Sequence, residues 1–416
     1  MGLVKIAPAT DAAPVCVDVA SFLRAGTLNL PVLPPLALYV HFPWCVRKCP
    51  YCDFNSHELT GAIDALPEAN YLSVLRADLE AALPMIWGRP VVSVFIGGGT
   101  PSLLSARGLD QLLSDLRALL PLAPGCEITL EANPGTFEAA KFASFRASGV
   151  NRLSLGIQSF DDRKLHALGR IHDRAQALAA IEHVQREFDN FNLDLMYALP
   201  EQTLGEAQAE IEQALSLAPP HLSLYQLTLE ANTVFAKHPP ALPDEDTAAA
   251  MHESIEARMA PAGYQHYEVS AYARTGHLCR HNLNYWQFGD YLGIGAGAHS
   301  KISFPHRVVR QVRFKQPASY LARGARNDFV AEQVEVARND LPFEFMLNAL
   351  RLNEGFAADL FAARTGMPIS QIEPALAVAE QRGLIERDMH RIGPTELGRR
   401  FLSDLQSIFL KGAATK

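Results

Sequence analysis

The alternation of short apolar runs with amphipathic helical segments constrains this chain more than any other feature. Runs at Leu36–His41, Val91–Ile96, Glu127–Ala132, Arg152–Ile157, Asn192–Met196 and His221–Leu227 read as strands. Between them, Ser105 is placed to cap a helix whose Leu109, Leu112, Leu113, Leu116 and Leu120 recur on one face at three- and four-residue spacing. Thr136 is placed to cap a further helix that stops at Gly149, and Thr203-Leu-Gly-Glu206 reads as a capping box. Six βα units in succession predict an α/β fold built as an incomplete, open (β/α)6 barrel. In such a sheet, ligands gather at the carboxyl ends of the strands.

The first strand runs into His41-Phe-Pro-Trp-Cys45-Val-Arg-Lys-Cys49-Pro-Tyr-Cys52-Asp-Phe-Asn55. Thiolates spaced C-x3-C-x2-C on a tight loop can converge on three corners of a [4Fe–4S] cube, leaving the fourth iron open to a small molecule. A structural zinc site needs four closed ligands, commonly two C-x2-C pairs, and the remaining cysteines are the isolated Cys16, Cys126 and Cys279. Six cysteines in 416 residues are also far from the density of a disulfide scaffold. Cys16 and Cys126 read as small buried hydrophobes, a reading that does not explain three cysteines within eight residues.

Gly97-Gly-Gly-Thr-Pro-Ser102 follows the second strand. Three glycines there let the backbone turn sharply and approach a ligand, presenting N–H and C=O groups to an amino or carboxylate group. Polar residues also stand at strand ends where a core would take apolar ones: Glu131, Gln158 and Asp194, with Arg170 following in Leu-Gly-Arg. Burying any of these without a partner costs several kcal/mol, on the order of 2–7 for a polar group. They either bond one another or bind a polar ligand; carboxylates suit ribose hydroxyls and ammonium groups, and a guanidinium suits a carboxylate.

The cysteine loop resembles that of the radical S-adenosylmethionine (SAM) superfamily. That resemblance implies that SAM chelates the unique iron and is cleaved to a 5′-deoxyadenosyl radical. The segments Tyr39-Val-His-Phe-Pro-Trp-Cys45, Gly97-Gly-Gly-Thr-Pro-Ser102, Leu155-Gly-Ile-Gln-Ser-Phe160, Asp194-Leu-Met-Tyr-Ala-Leu-Pro200 and Gly293-Ile-Gly-Ala-Gly-Ala-His-Ser300 make the resemblance specific. From about Leu36 to the C-terminus the chain is similar to the HemN/HemW group, related to oxygen-independent coproporphyrinogen III oxidase. The resemblance implies that Cys45, Cys49 and Cys52 hold the cluster. It implies SAM contacts at Tyr39, Gly98, Gly99, Thr100, Glu131, Gln158, Arg170 and Asp194, while Tyr51 packs on the adenine, on the cluster or only on its neighbours.

Within that group the sequence sides with the heme-chaperone branch. The oxidase pattern resembles C-x3-C-x2-C-x-C, whereas this chain has Phe54 at the additional position, and a phenyl ring cannot replace a thiol in redox or proton chemistry. The oxidase also carries a longer N-terminal extension. His281-Asn-Leu-Asn-Tyr-Trp286 resembles the HNxxYW motif of the chaperone branch, which implies heme as a ligand: His281 offers an imidazole and Tyr285 and Trp286 flat apolar surface. Cys279 offers a thiolate as an alternative, and a bonded structural histidine is the other reading of His281. The expected function is a heme chaperone carrying heme to heme-acceptor proteins, membrane-associated ones included. The rival is radical decarboxylation of coproporphyrinogen III propionates to vinyl groups.

The expected organisation is a loosely ordered lead-in over 1–35, a radical SAM partial barrel over 36–235, and an accessory region over 236–335. That region holds the HNxxYW motif in a small sheet or loops beside the barrel mouth. A mainly helical, winged-helix-like domain follows over 336–416, with a turn, short hairpin and final helix from Gly383 onward, read as a cap over the site. At 48% hydrophobic and 20% charged, the chain can bury a sizeable core. A net charge of −8 argues against nucleic acid. No basic and apolar leader and no run near the ~20 residues of a membrane span is seen. The chain therefore reads as cytoplasmic, with a homodimer left open.

Overall fold

The computed structural model describes residues 19–61, 65–135 and 140–410. The six expected strands are β1 (Leu36–Phe42), β2 (Val91–Gly98), β3 (Leu122–Ala132), β4 (Arg152–Gln158), β5 (Phe191–Tyr197) and β6 (His221–Gln226), each parallel to the next. Period-two alternation decides which side chains face which way. Leu153, Leu155 and Ile157 of β4, Leu193 and Leu195 of β5, and Leu222 and Leu224 of β6 enter the core shared with the helices. The alternate positions, Glu127, Thr129, Arg152, Ser154, Asn192, Asp194, His221 and Ser223, form a polar inner face.

The helices close the outer layer by the expected rules. In Ala106–Leu119 the Ser105 hydroxyl accepts the Gly108 N–H, and Leu109, Leu112, Leu113 and Leu116 are buried, each contributing about 1.5–3 kcal/mol. The Thr203/Glu206 capping box opens Leu204–Ser216. Phe142–Ser148 ends at Gly149 in the left-handed region (φ 109°); its proposed cap, Thr136, lies outside the described residues, as does Cys16.

The accessory region was expected as a small sheet or loops beside the barrel mouth; its strands instead join the barrel sheet. It supplies β7 (Gln265–Glu268), β8 (Ala271–Ala273), β9 (Asp290–Ile294), β10 (His299–Phe304), β11 (Arg307–Arg313) and β12 (Val330–Glu335). These extend the barrel sheet on both sides into twelve strands, in the order β12-β11-β10-β9-β1-β2-β3-β4-β5-β6-β8-β7. β9 lies parallel to β1, with Tyr39 opposite Gly293. Its one glycine allows close approach: a Cβ on Gly293 would lie 2.1 Å from the His299 carbonyl oxygen.

In the lead-in, residues from Val19 onward are described. Phe22 packs on Phe304 with ring centroids 4.9 Å apart, and the Leu28 and Leu30 N–H groups bond the carbonyls of His306 and Pro305. The C-terminal region forms the expected hairpin, Ile385–Arg387 with Arg391–Pro394, joined by Phe356–Ala357 and followed by helices Glu396–Arg400 and Leu402–Ser407. Among the described residues, none from 336–410 lines the cavity at the strand ends, where the expectation had put a cap. The apolar face of this region, with Phe345, Phe356 and Phe361, packs against Phe288, Val308, Leu28 and Leu30.

Candidate cluster and cofactor site

Two lobes of one cavity open at the carboxyl ends of the strands. The first, of about 360 Å³, is lined by Cys45, Cys49 and Cys52 together with Gly98, Gly99, Thr100, Glu131, Gln158, Arg170 and Asp194. Residues from six segments of the chain, expected separately to touch a cluster and SAM, are thus brought to one wall and floor. Tyr39 lines instead the second lobe, of about 600 Å³. The lobes share Asp53, Phe54, Ser56, Gly98 and Glu131.

All three thiols are free. Cys45 is buried, which pushes its thiol up to about 11, and the Thr100 hydroxyl offsets part of that cost. Coordination to iron would reverse the shift, because a metal-bound thiol is deprotonated outright. The Arg170 guanidinium lies 3.7 Å from the Cys49 sulfur and also donates to Asn133 Oδ1 (2.6 Å) and the Gly156 carbonyl (2.7 Å). A buried cation held beside one thiolate suits a negatively charged cluster. Tyr51 lies next to Cys49 and Arg170 and packs on Phe235 at 6.4 Å; burial pushes its hydroxyl well up.

The glycine turn is built for close approach. Gly98 has φ 114°, and a Cβ there would lie 2.4 Å from the His41 ring; on Gly99 it would lie 2.5 Å from the Trp44 carbonyl oxygen. The Gly98 N–H donates to Glu131 Oε2 (3.0 Å), and Asn133 donates to the Thr100 hydroxyl (3.1 Å). Gln158 holds φ 68°, a strained value for a non-glycine residue at a strand end. Asn133, which the sequence did not single out, ties the turn to Arg170. Ser154, Met196 and Tyr225 also line the lobe; the alternating pattern of β4 to β6 was the signal for all three.

Burial, with the Asp194 carboxylate nearby, raises Glu131 to about 7 from its ordinary 4.5. Burial likewise raises Asp194, against hydrogen bonds from Ser154 (2.9 Å) and Asn192 (2.8 Å). Such a pair awaits a ligand that offers donors or positive charge. Without one, folding loses stability as pH rises from 4.5 to about 7, because the unfolded chain releases this proton over that range while the native state still holds it. Glu131→Gln, which has no proton to lose, should therefore be the more stable protein at pH 8 by on the order of 3 kcal/mol, with the gap narrowing at pH 5. Urea unfolding of both ligand-free proteins at the two pH values reads this; a pH-independent gap would contradict it.

His281 and Cys279 lie below the floor, away from both lobes. The helix Arg280–Trp286 closes the bottom of the barrel: the Arg280 and His281 N–H groups and the Cys279 thiol donate to Glu127. His281 is 3% exposed; its Nδ1 meets the Ser93 hydroxyl at 3.0 Å and its ring packs 5.0 Å from Phe95. Burial pushes its imidazole down to about 3. Tyr285, four residues on, does reach the second lobe.

Residues 39–214 match the Radical SAM superfamily and residues 336–401 the HemN C-terminal domain. The chain is 47% identical over 380 residues to the heme chaperone HemW of Escherichia coli, covering 91% of this chain and 99% of the relative. It is 36% identical over 388 residues to the heme chaperone HemW of Mycobacterium tuberculosis, covering 90% and 96%. Among solved structures, the radical SAM coproporphyrinogen III oxidase HemN of E. coli shares the fold, with a TM-score of 0.77 at 23% identity over 91% of this chain and 90% of that one. With the three-cysteine cavity in place and the likeness running nearly end to end, the chain belongs to the HemW family.

Proposed function

We propose that the protein is a heme chaperone: it holds a [4Fe–4S] cluster on Cys45, Cys49 and Cys52, binds SAM beside it, takes up heme and passes it to acceptor proteins. The observation that carries this reading is the near full-length likeness, at 47% identity, to a relative whose name is heme chaperone HemW. When bound, the cluster and SAM together supply one-electron chemistry. The chain's own residues position them: the Gly98 turn offers backbone groups at close range, Glu131 and Asp194 offer carboxylates to hydroxyl and ammonium donors, and Arg170 balances charge at Cys49. The proposal places the protein in the cytoplasm and includes membrane-bound proteins among its acceptors; among the described residues no helix is long and apolar enough to cross a membrane.

Phe54 weighs against oxidase chemistry. Its ring is 61% exposed and stands where both lobes meet, so the position nearest to the cluster loop that would serve a thiol carries a group that neither ligates nor transfers a proton. The anaerobically reconstituted protein, given SAM, a low-potential reductant and coproporphyrinogen III, should yield no protoporphyrinogen IX over repeated turnovers when the porphyrins are separated by chromatography. Many turnovers would make it an oxidase.

A further inference from the structure

The motif histidine that the sequence offers to heme is sealed in the floor. The His281 Nε2 is buried with no hydrogen-bond partner among the described residues, so a macrocycle could reach it only if the helix Arg280–Trp286 left the barrel. The second lobe is the alternative. It is lined by Tyr285 of the same helix, by Tyr291, and by three histidines, His41, His57 and His299. Both ring nitrogens of His41 are occupied, by the Tyr39 hydroxyl and the Asn55 carbonyl, each at 3.0 Å. His57 meets Asn55 Oδ1 at 3.2 Å and a backbone group of Lys315. His299, at the start of β10, keeps its imidazole exposed to the lobe.

We propose that the second lobe holds heme as cargo, with His299 as the protein ligand to its iron and the Tyr285 and Tyr291 rings as the surface that carries the macrocycle. The proposal rests on the heme-chaperone reading. The two tyrosine rings pack on each other, with centroids 4.3 Å apart at 31°, and both line the lobe, so they give it one aromatic wall of the kind that meets a flat apolar face. Lys315 lines the same lobe and supplies positive charge for a propionate of the porphyrin, as does Lys48, whose ammonium also donates to the Phe54 and Ser56 carbonyls; Asp53 and Glu131 are the carboxylates on this wall. His299 is open to solvent on one side yet sits within the concave lobe. His281 then acts as a positioning residue: its ring packs 5.1 Å from that of Tyr285 and fixes the aromatic surface from below.

The lobe adjoins the cluster site through Gly98, Glu131 and Phe54. Heme held there would share a wall with SAM, so cofactor binding and cargo binding would be able to influence each other without a long-range change.

The test is a heme titration of the full chain with its cluster reconstituted, followed by absorption and electron paramagnetic resonance. His299→Ala should weaken binding at least tenfold and abolish the histidine-ligand signature, and added imidazole should restore that signature. Lys315→Glu should weaken binding while leaving the ligand signature unchanged. Wild-type affinity and spectrum in His299→Ala would overturn the proposal, as would loss of the signature in a folded His281→Ala protein that His299→Ala does not reproduce. Failure of the unmodified protein to retain any heme would be a different result: it would remove the heme-chaperone reading itself, and this site with it.

Discussion

Replacing Cys49 with alanine should eliminate the cluster, taking bound iron after anaerobic reconstitution from about four atoms per chain to background and erasing the sulfur-to-iron absorption. A cube with one open iron depends on all three thiolates, and the described residues around the cavity offer no substitute near Cys49. Arg170 lies 3.7 Å from that sulfur, and Tyr51 stands beside it; neither supplies a thiolate. Fold stability should change little, because Cys49 sits on a partly exposed loop and contributes no core contact. Iron and sulfide content together with thermal unfolding separate the two effects. Full iron content in the variant would show that the cluster is held otherwise.

The largest stability effect should come from Asp78, far in sequence from the strands it supports. Its carboxylate, 1% exposed, accepts from Arg313 Nε (2.9 Å), the Tyr320 hydroxyl (2.8 Å) and the Gly295 N–H (3.1 Å). It thereby ties the helix Glu68–Ala82 to β11 and to the glycine loop that leads from β9 to His299. Asp78→Ala would leave the buried Arg313 guanidinium donating to Gln311 Oε1, at 2.8 Å. Removing one member of such a pair costs about 3–5 kcal/mol. The urea midpoint should fall with its slope unchanged, and Asp78→Asn, which retains an acceptor, should lose less. A loss below about 1 kcal/mol in Asp78→Ala would mean that water reaches Arg313 and the buried pair is not a structural tie.

The parts of this architecture that local pattern dictates were legible. The six central strands announce themselves because their core-facing positions are filled by Leu, Ile, Val and Phe while their inner faces alternate with polar groups, as in Arg152-Leu-Ser-Leu and His221-Leu-Ser-Leu. Caps at Ser105 and Thr203 follow from single residues and their spacing. The cysteine loop, the glycine turn and the strand-end polar residues lie at ends that the parallel topology gathers, so ten of the expected residues meet in one lobe.

What was not legible depended on pairing between distant segments. β9 is short, glycine-bearing and more than 240 residues from β1, and only the register Tyr39 to Gly293 makes it a strand of the main sheet. The second lobe gathers His41, His57 and His299 from three segments, none of which signals a site alone. The C-terminal hairpin could be read from its turn, but the face it packs against is set by Phe288, Val308 and the lead-in leucines rather than by anything local. His281 was read from its motif as a heme ligand or as a bonded structural histidine; its burial against Ser93 and Phe95 arises from β2, almost 190 residues earlier.

The central claim is heme delivery, and the direct measurement is transfer. Full-length protein with its cluster intact and SAM bound is loaded with one equivalent of heme, freed of excess, and mixed with a heme-free acceptor hemoprotein. The two are then separated and their absorption spectra recorded over time. The account predicts that the acceptor gains heme as this protein loses the same amount, more slowly when His299 is intact than in His299→Ala, whose cargo is less firmly held. Heme that stays on the protein while the acceptor remains empty would contradict a chaperone function.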